Sequence, residues 1–294
     1  MTASLSIISN SVLIILKVTI GIISGSVSII SEAIHSGMDL MAAIIAFFSV
    51  RISGMPPDKN HQYGHGKFEN VSGVIEALLI FIAAGWIIFE AVKKIVEPAL
   101  PESLGIGAIV MGVSALINFV VSQRLYKVGK ETDSVALEAD GLHLRTDVYT
   151  SLGVAFGLLL IWLTGIAILD PIVAILVALL ILRESFVLLK KAYYPLLDTP
   201  LPANEIDKIK GTINKHLKPG MNFHMLRSRK AGANKYVDLH LEVPGGITVK
   251  ESHDLCDLIE HDIEHEVENI EVYIHIEPCE NGEEEKVINP PTLE

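Results

Sequence analysis

The stretch from Leu5 to Val50 is apolar for about twice the length that a membrane crossing requires, and it is broken only near Gly25-Ser26. A helix spans the hydrocarbon core with about 20 mostly apolar residues. This stretch is therefore expected to form two spans joined by a tight turn. Further apolar runs at 70–96, 103–126, 134–164 and 168–190, each bounded by Pro, Gly or charges, bring the expected total to six. Half of the residues are hydrophobic and the mean hydropathy is +0.45, which sets the chain apart from ordinary soluble domains. No basic segment precedes the first apolar run, so it is read as a retained span and not as a cleaved signal. Charged residues gather in the last third. The expected organisation is a membrane domain over residues 1–195, a soluble domain over 196–285 and an acidic, polar tail over 286–294.

Orientation follows from the placement of Lys and Arg. With the N-terminus inside, the inner connections carry Arg51, Lys59, Lys67, Arg124, Lys127, Lys130, Lys190 and Lys191, and the outer ones carry only Lys93 and Lys94. Both termini are accordingly expected on the cytoplasmic side of the cell membrane. The net charge of −12 argues against a nucleic-acid partner, whose phosphates need a basic footprint. Two cysteines, Cys256 and Cys279, give neither a disulfide framework nor a C-x-x-C metal motif. No phosphate-binding glycine loop, nucleophile–base pair or nucleotide motif is present, so the expectation is a gradient-driven carrier and not an enzyme.

Two of the expected spans carry the same polar pattern: His35-Ser-Gly-Met-Asp39 in the second and His143-Leu-Arg-Thr-Asp147 in the fifth. Residues at i and i+4 lie about 40° apart around a helix and about 6 Å along it, so each pair shares one face. Ionisable groups within a bilayer are expensive and normally face a cavity or one another. A single pair could serve only to hydrogen-bond between helices. Two matching pairs point instead to a four-ligand site of two imidazoles and two carboxylates, a tetrahedral N/O set suited to zinc. Glu76 and Asn118 are also polar and intramembrane, but each stands alone and is read as an interhelical hydrogen-bonding residue. Between the second and third spans, Asp58, His61 and His65 form a loop cluster that could hold a second ion.

The repeated H-x-x-x-D, the segment His61-Gln-Tyr-Gly-His65-Gly-Lys-Phe-Glu69 and the segment Ala139-Asp-Gly-Leu-His143-Leu-Arg-Thr-Asp147 together resemble the cation diffusion facilitator family over nearly the whole chain. The resemblance implies a homodimeric exporter that exchanges a metal ion for protons. A histidine at position 35 resembles the zinc-selective members. Asp58, His61 and His65 match a secondary metal site of some members. The chain departs from relatives that have a His-rich loop between the fourth and fifth spans, because Lys127 to Asp133 contains no histidine.

After residue 203 the hydrophobic period changes. Ala203–Leu217 reads as an amphipathic helix, Phe223–Ser228 and Tyr236–Val243 as strands, Thr248–Val267 as a helix and Glu271–Glu277 as a last strand. The fold class is thus an α-helical membrane protein of six transmembrane helices with a C-terminal cytoplasmic ferredoxin-like αββαβ domain. Alternation puts Val237, Leu239, Leu241 and Val243 on one face and Asp238, His240 and Glu242 on the other. In the last strand it separates Val272, Ile274 and Ile276 from Tyr273, His275 and Glu277. By the resemblance, His224, His240, His253, His275 and Glu277 match the metal positions of the cytoplasmic domain, with an ion between protomers; His216, His261 and His265 read as surface residues.

The function expected is divalent metal efflux, with Zn2+ exchanged for protons by alternating access in a lipid-embedded homodimer. Iron, cadmium, cobalt and manganese are the alternative ions. A membrane-bound metal sensor or scaffold is the alternative of another class.

Overall fold

A computed structural model describes residues 3–24, 27–96, 106–166 and 168–279. The expected acidic tail at 286–294 lies outside the described residues. Six long helices come first: α1 (Ala3–Ser24), α2 (Val27–Ser53), α3 (Lys67–Val96), α4 (Ile106–Glu131), α5 (Val135–Thr164) and α6 (Leu169–Tyr193). A short 3-10 turn at Tyr194–Leu197 closes the series. α7 (Ala203–His216), β1 (Asn222–Ala231), β2 (Asn234–Pro244), α8 (Val249–Glu266) and β3 (Ile270–Cys279) follow in the expected αββαβ order. The chain divides into two compact units, one over Met1–Leu197 and one from Asp198 onward, with the turn Ala231–Ala233 counted in the first.

The helical unit is inverted relative to a water-soluble core. Leu78, Leu79, Ile82, Trp86 and Phe89 of α3, Leu176, Leu179, Leu180 and Val187 of α6, and Ile8, Val12 and Ile15 of α1 are all exposed. Asn10, Lys17, Asp39, Glu69, Glu76, Asn118, Glu138 and Asp140 are all buried. Apolar residues outside and polar ones inside are what a lipid solvent selects. Among the described residues, three helices are both long and apolar enough to cross a bilayer: α1, α3 and the stretch from Pro171. α2, α4 and α5 have 27, 26 and 30 residues and so have the length. α2 also carries Asp39, and α5 carries Glu138, Asp140, His143 and Asp147.

Small residues let these helices approach closely. A Cβ on Gly141 of α5 would lie 3.0 Å from the Tyr126 backbone nitrogen and 3.3 Å from the Ser122 carbonyl of α4. A Cβ on Gly73 of α3 would lie 2.7 Å from Val135 Cγ1.

In the second unit the sheet order is β1-β2-β3. The two-residue β1–β2 connection is too short for a crossover, so these strands form an antiparallel hairpin. α8 carries the chain back so that β3 lies parallel to β2, with Val237 opposite Val272 and Leu239 opposite Ile274. Ile209 and Ile213 of α7 and Ile259 and Ile263 of α8 close over Val237, Leu239, Leu241, Val243 and Val272 in one core. Both helices therefore cover one face of the sheet, and the polar alternate residues occupy the other. Thr248 and Glu251 form a reciprocal capping box at the start of α8: the Glu251 amide donates to Thr248 Oγ1 at 3.2 Å and the Thr248 amide donates to Glu251 Oε2 at 2.9 Å.

Candidate metal centres

Among the described residues, three groups of histidine and carboxylate side chains come together. The first lies between α2 and α5. His143 Nε2 meets Asp39 Oδ1 at 3.1 Å across the two helices, and Asp39 is buried. Asp147, one turn beyond His143, is within electrostatic reach of that imidazole. Its Oδ2 accepts a hydrogen bond from Asn118 Nδ2 of α4 at 3.2 Å. Asn118 thus makes the interhelical contact expected of it, and its partner is a residue of the same set. His143 Nδ1 is buried with no protein partner. His35 lies on α2 one turn before Asp39, and its side chain is outside the described residues.

The second group is held by a tightly organised loop. Asp58 Oδ1 accepts the backbone N–H groups of Asn60 at 2.8 Å and His61 at 2.7 Å. Those two bonds, led by the one from His61, hold the Asp58 carboxyl below the usual carboxylate range. Gly64 takes a positive φ of 79° and its amide donates to the His61 carbonyl at 2.9 Å, which folds the chain back to His65. His61 Nδ1 then lies 3.3 Å from Asp58 Oδ1, and His65 Nε2 lies 3.3 Å from Asp58 Oδ2. One ligand atom from each of the three residues falls within 4.8 Å of the others. Sequence spacing says little about a loop; the Asp58 turn and Gly64 supply the missing geometry.

The third group occupies the polar face of the sheet. His224 of β1, His240 of β2 and Glu277 of β3 have ligand atoms within 4.8 Å of one another. His240 Nδ1 is 2.9 Å from Glu277 Oε1, and His224 Nε2 is 3.3 Å from Glu277 Oε2. The parallel register sets His240 beside His275 and Glu242 beside Glu277. His275 Nε2 comes within 3.6 Å of Glu277 Oε1. Four of the five expected residues are therefore brought together. The fifth, His253, sits on α8 at the opposite side of the sheet, 3.5 Å from its own helix neighbour Asp257. Glu242 also lies beside the group, 3.4 Å from His224 Nδ1. It was visible in the sequence as the polar residue two after His240.

Of the remaining histidines, His216 pairs with Asp262 at 2.8 Å. Cys256 is buried in the α8 core face, where burial, then Glu260 and Asp257, push its thiol up to about 11. It stays protonated at neutral pH and is a packing residue, not a thiolate ligand.

A profile of the cation efflux transmembrane domain matches residues 3–197, and one of the cation efflux protein cytoplasmic domain matches residues 201–279. The chain belongs to the cation diffusion facilitator family. It is 35% identical to the uncharacterized transporter sll1263 of Synechocystis over 88% of this chain and 84% of that one. It is 33% identical to the uncharacterized transporter MJ0449 of Methanocaldococcus jannaschii over 93% and 96% of the two chains. The cation-efflux pump FieF of Yersinia pestis is 30% identical over 92% and 89%. A solved structure of CzrB in a zinc form aligns with 30% of this chain and 99% of its own, at 28% identity and a TM-score of 0.28. The protein is thus a membrane-embedded cation efflux transporter with a C-terminal cytoplasmic domain, in a family of transporters and not of enzymes.

Proposed function

We propose that this protein exports a divalent transition metal, zinc in the first instance, in exchange for protons, as a homodimer working by alternating access. The observation that carries the reading is the meeting of Asp39 and His143 between α2 and α5, which puts members of both H-x-x-x-D pairs at one place inside the helical unit. With His35 and Asp147 the set offers two nitrogens and two carboxylates. The carboxylates offset the charge of a dication in a low-dielectric setting, and imidazole nitrogen favours zinc over manganese. Protons compete with metal for these ligands, so loading a metal ion releases protons and protonation assists its release. Loop charge supports cytoplasmic termini, and the matches to cation efflux domains support outward transport from the cell.

The loop group and the sheet group are read as cytoplasmic metal sites. A zinc ion on His224, His240, His275 and Glu277 that binds the associated state preferentially would tighten the dimer as cytosolic zinc rises. Metal uptake into inverted membrane vesicles under an imposed pH gradient tests the transport reading. Zinc should accumulate, a panel of competing ions should rank below it, and Asp39→Ala and Asp147→Ala should abolish uptake while leaving a folded dimer. An uptake rate unchanged by collapsing the gradient would remove proton exchange. The sheet cluster also suits a membrane-bound sensor, and binding of zinc with no flux would favour that reading.

A further inference from the structure

The helical unit buries more polar residues than its metal ligands account for. α1 turns Ala3, Ser6, Asn10, Leu13 and Lys17 inward at alternating steps of three and four, so most of its inner stripe is polar. Ser6 Oγ donates to Asp140 Oδ1 at 2.9 Å. Asp140 lies on α5 one turn before His143 and is fully buried. Glu76 on α3 is also fully buried, and Ser72 Oγ donates to its Oε1 at 3.2 Å.

Glu76 and Asp140 lie level with one another. Near the helix starts, Ser134 donates a hydrogen bond to Glu69, and farther along, Ala77 and Ile80 share a core with Ala139 and Leu142, so α3 and α5 run in the same direction. Glu76 is seven residues past Glu69 and Asp140 six past Ser134, which puts them about 10 and 9 Å along their axes. The two carboxylates interact electrostatically. Each keeps one buried oxygen without a protein partner, Glu76 Oε2 and Asp140 Oδ2, and Asn10, one turn from Ser6, keeps both amide atoms unpartnered.

Several other groups around the pair have partners of their own, among them the buried Lys17 of α1, whose ammonium donates to Ser36 Oγ of α2 at 2.8 Å. Charged groups in reach of Asp140 are His143 of α5 and Asp39 of α2. α6 presents Ser185, whose hydroxyl donates to the Ala77 carbonyl at 2.8 Å, and α4 presents Ser122, whose hydroxyl donates to the Phe119 carbonyl at 3.0 Å. Glu138 is held by Lys191 at 2.8 Å, and Glu69 by Ser53 and Ser134.

Two ionised carboxylates side by side in a buried site repel strongly, and one proton between them removes most of that cost. We propose that Glu76 and Asp140 form a proton-holding pair, separate from the metal ligands, whose proton leaves when a metal dication arrives beside Asp39 and His143. The carboxyl O–H bond breaks, the proton passes to water, and the electron pair stays on the carboxylate, whose new negative charge the nearby dication stabilises. This rests on the proton-exchange reading above and names where one of the exchanged protons resides.

Proton release per zinc bound, followed with a pH indicator on the full-length protein in detergent, tests the pair without requiring transport. Wild type should release about one proton more per transport-site zinc than Glu76→Gln, and its zinc affinity should accordingly rise by about tenfold more per pH unit than that of Glu76→Gln. Glu76→Asp should restore the release. Infrared difference spectra should show a protonated carboxyl band in wild type that zinc removes and that Glu76→Gln and Asp140→Asn lack. Equal proton release from wild type and Glu76→Gln, a band that survives both substitutions, or the loss of one bound zinc per chain in Glu76→Gln would each overturn the proposal. Absence of zinc flux in vesicles would sink the transport reading alone, because the equilibrium proton count stands apart from it.

Discussion

Asp39 meets His143 and Asn118 meets Asp147, and in the proposed ligand set substitution should separate their roles. Asp39→Asn keeps the size and a hydrogen-bonding group toward His143 but removes one of the two charges that offset the dication. Zinc affinity at the membrane site should fall by at least about tenfold, roughly 1.4 kcal/mol, as measured by competition with a chelating dye. Asn118→Ala removes only the amide that orients Asp147 at 3.2 Å, a neutral-to-charged bond of about 1.5–3 kcal/mol, and should weaken binding less than Asp147→Ala does. At the other end of the chain, the raised Cys256 thiol should react far more slowly with a maleimide at pH 7 than the partly exposed Cys279. Equal rates would show that the α8 core opens readily. The two H-x-x-x-D pairs were legible in the sequence because helical spacing alone fixes that their members share a face. The role of Asn118 was only half legible, since spacing identifies a polar residue in a span but not which neighbour it meets.

At the scale of elements, α8 offers a pH-dependent stability that can be signed. Hydrogen bonds from the Thr248 backbone and side chain hold the Glu251 carboxyl below its usual range. A group depressed in the folded state contributes stability above its unfolded value of about 4.3, and that contribution disappears as the pH falls through the lower folded value. Amide exchange at the first turn of α8 should therefore accelerate as the pH is lowered past 4.3, once corrected for intrinsic exchange. Thr248→Ala should cost about 1 kcal/mol at neutral pH and flatten that dependence. In the helical unit, Gly141 allows α4 and α5 to approach until a Cβ would touch the Tyr126 backbone at 3.0 Å. Gly141→Leu should push the helices apart and displace His143, two residues on. Zinc transport should fall much more than it does for Gly85→Leu, where a Cβ meets nothing within 4 Å. The helices and strands were readable from periodicity and capping: Thr248 and Glu251 mark the start of α8 in the sequence. The loop between α2 and α3 was not, because its shape depends on the Asp58 turn and the positive φ of Gly64, and neither has a period.

For the whole molecule, the two compact units predict separable effects. Zinc that binds the folded sheet cluster should stabilise the cytoplasmic domain by about 2.7 kcal/mol at a hundredfold excess over its dissociation constant. His240→Ala should remove that stabilisation while leaving the zinc content of the membrane site intact. His253→Ala should leave cluster binding within a single chain unchanged, because His253 lies on the helical side of the sheet with Asp257. The sequence by itself determined the apolar spans, the switch to an αββαβ unit after residue 203, and which residues share each helix or strand face. All of these depend on chemistry that repeats along one chain direction. Only the tertiary structure decided which faces meet: Asp39 with His143, Glu277 with His224 and His240, Glu242 beside His224, and Glu76 level with Asp140. Those choices depend on helix approach, strand register and crossover direction, which are set by packing between segments far apart in sequence.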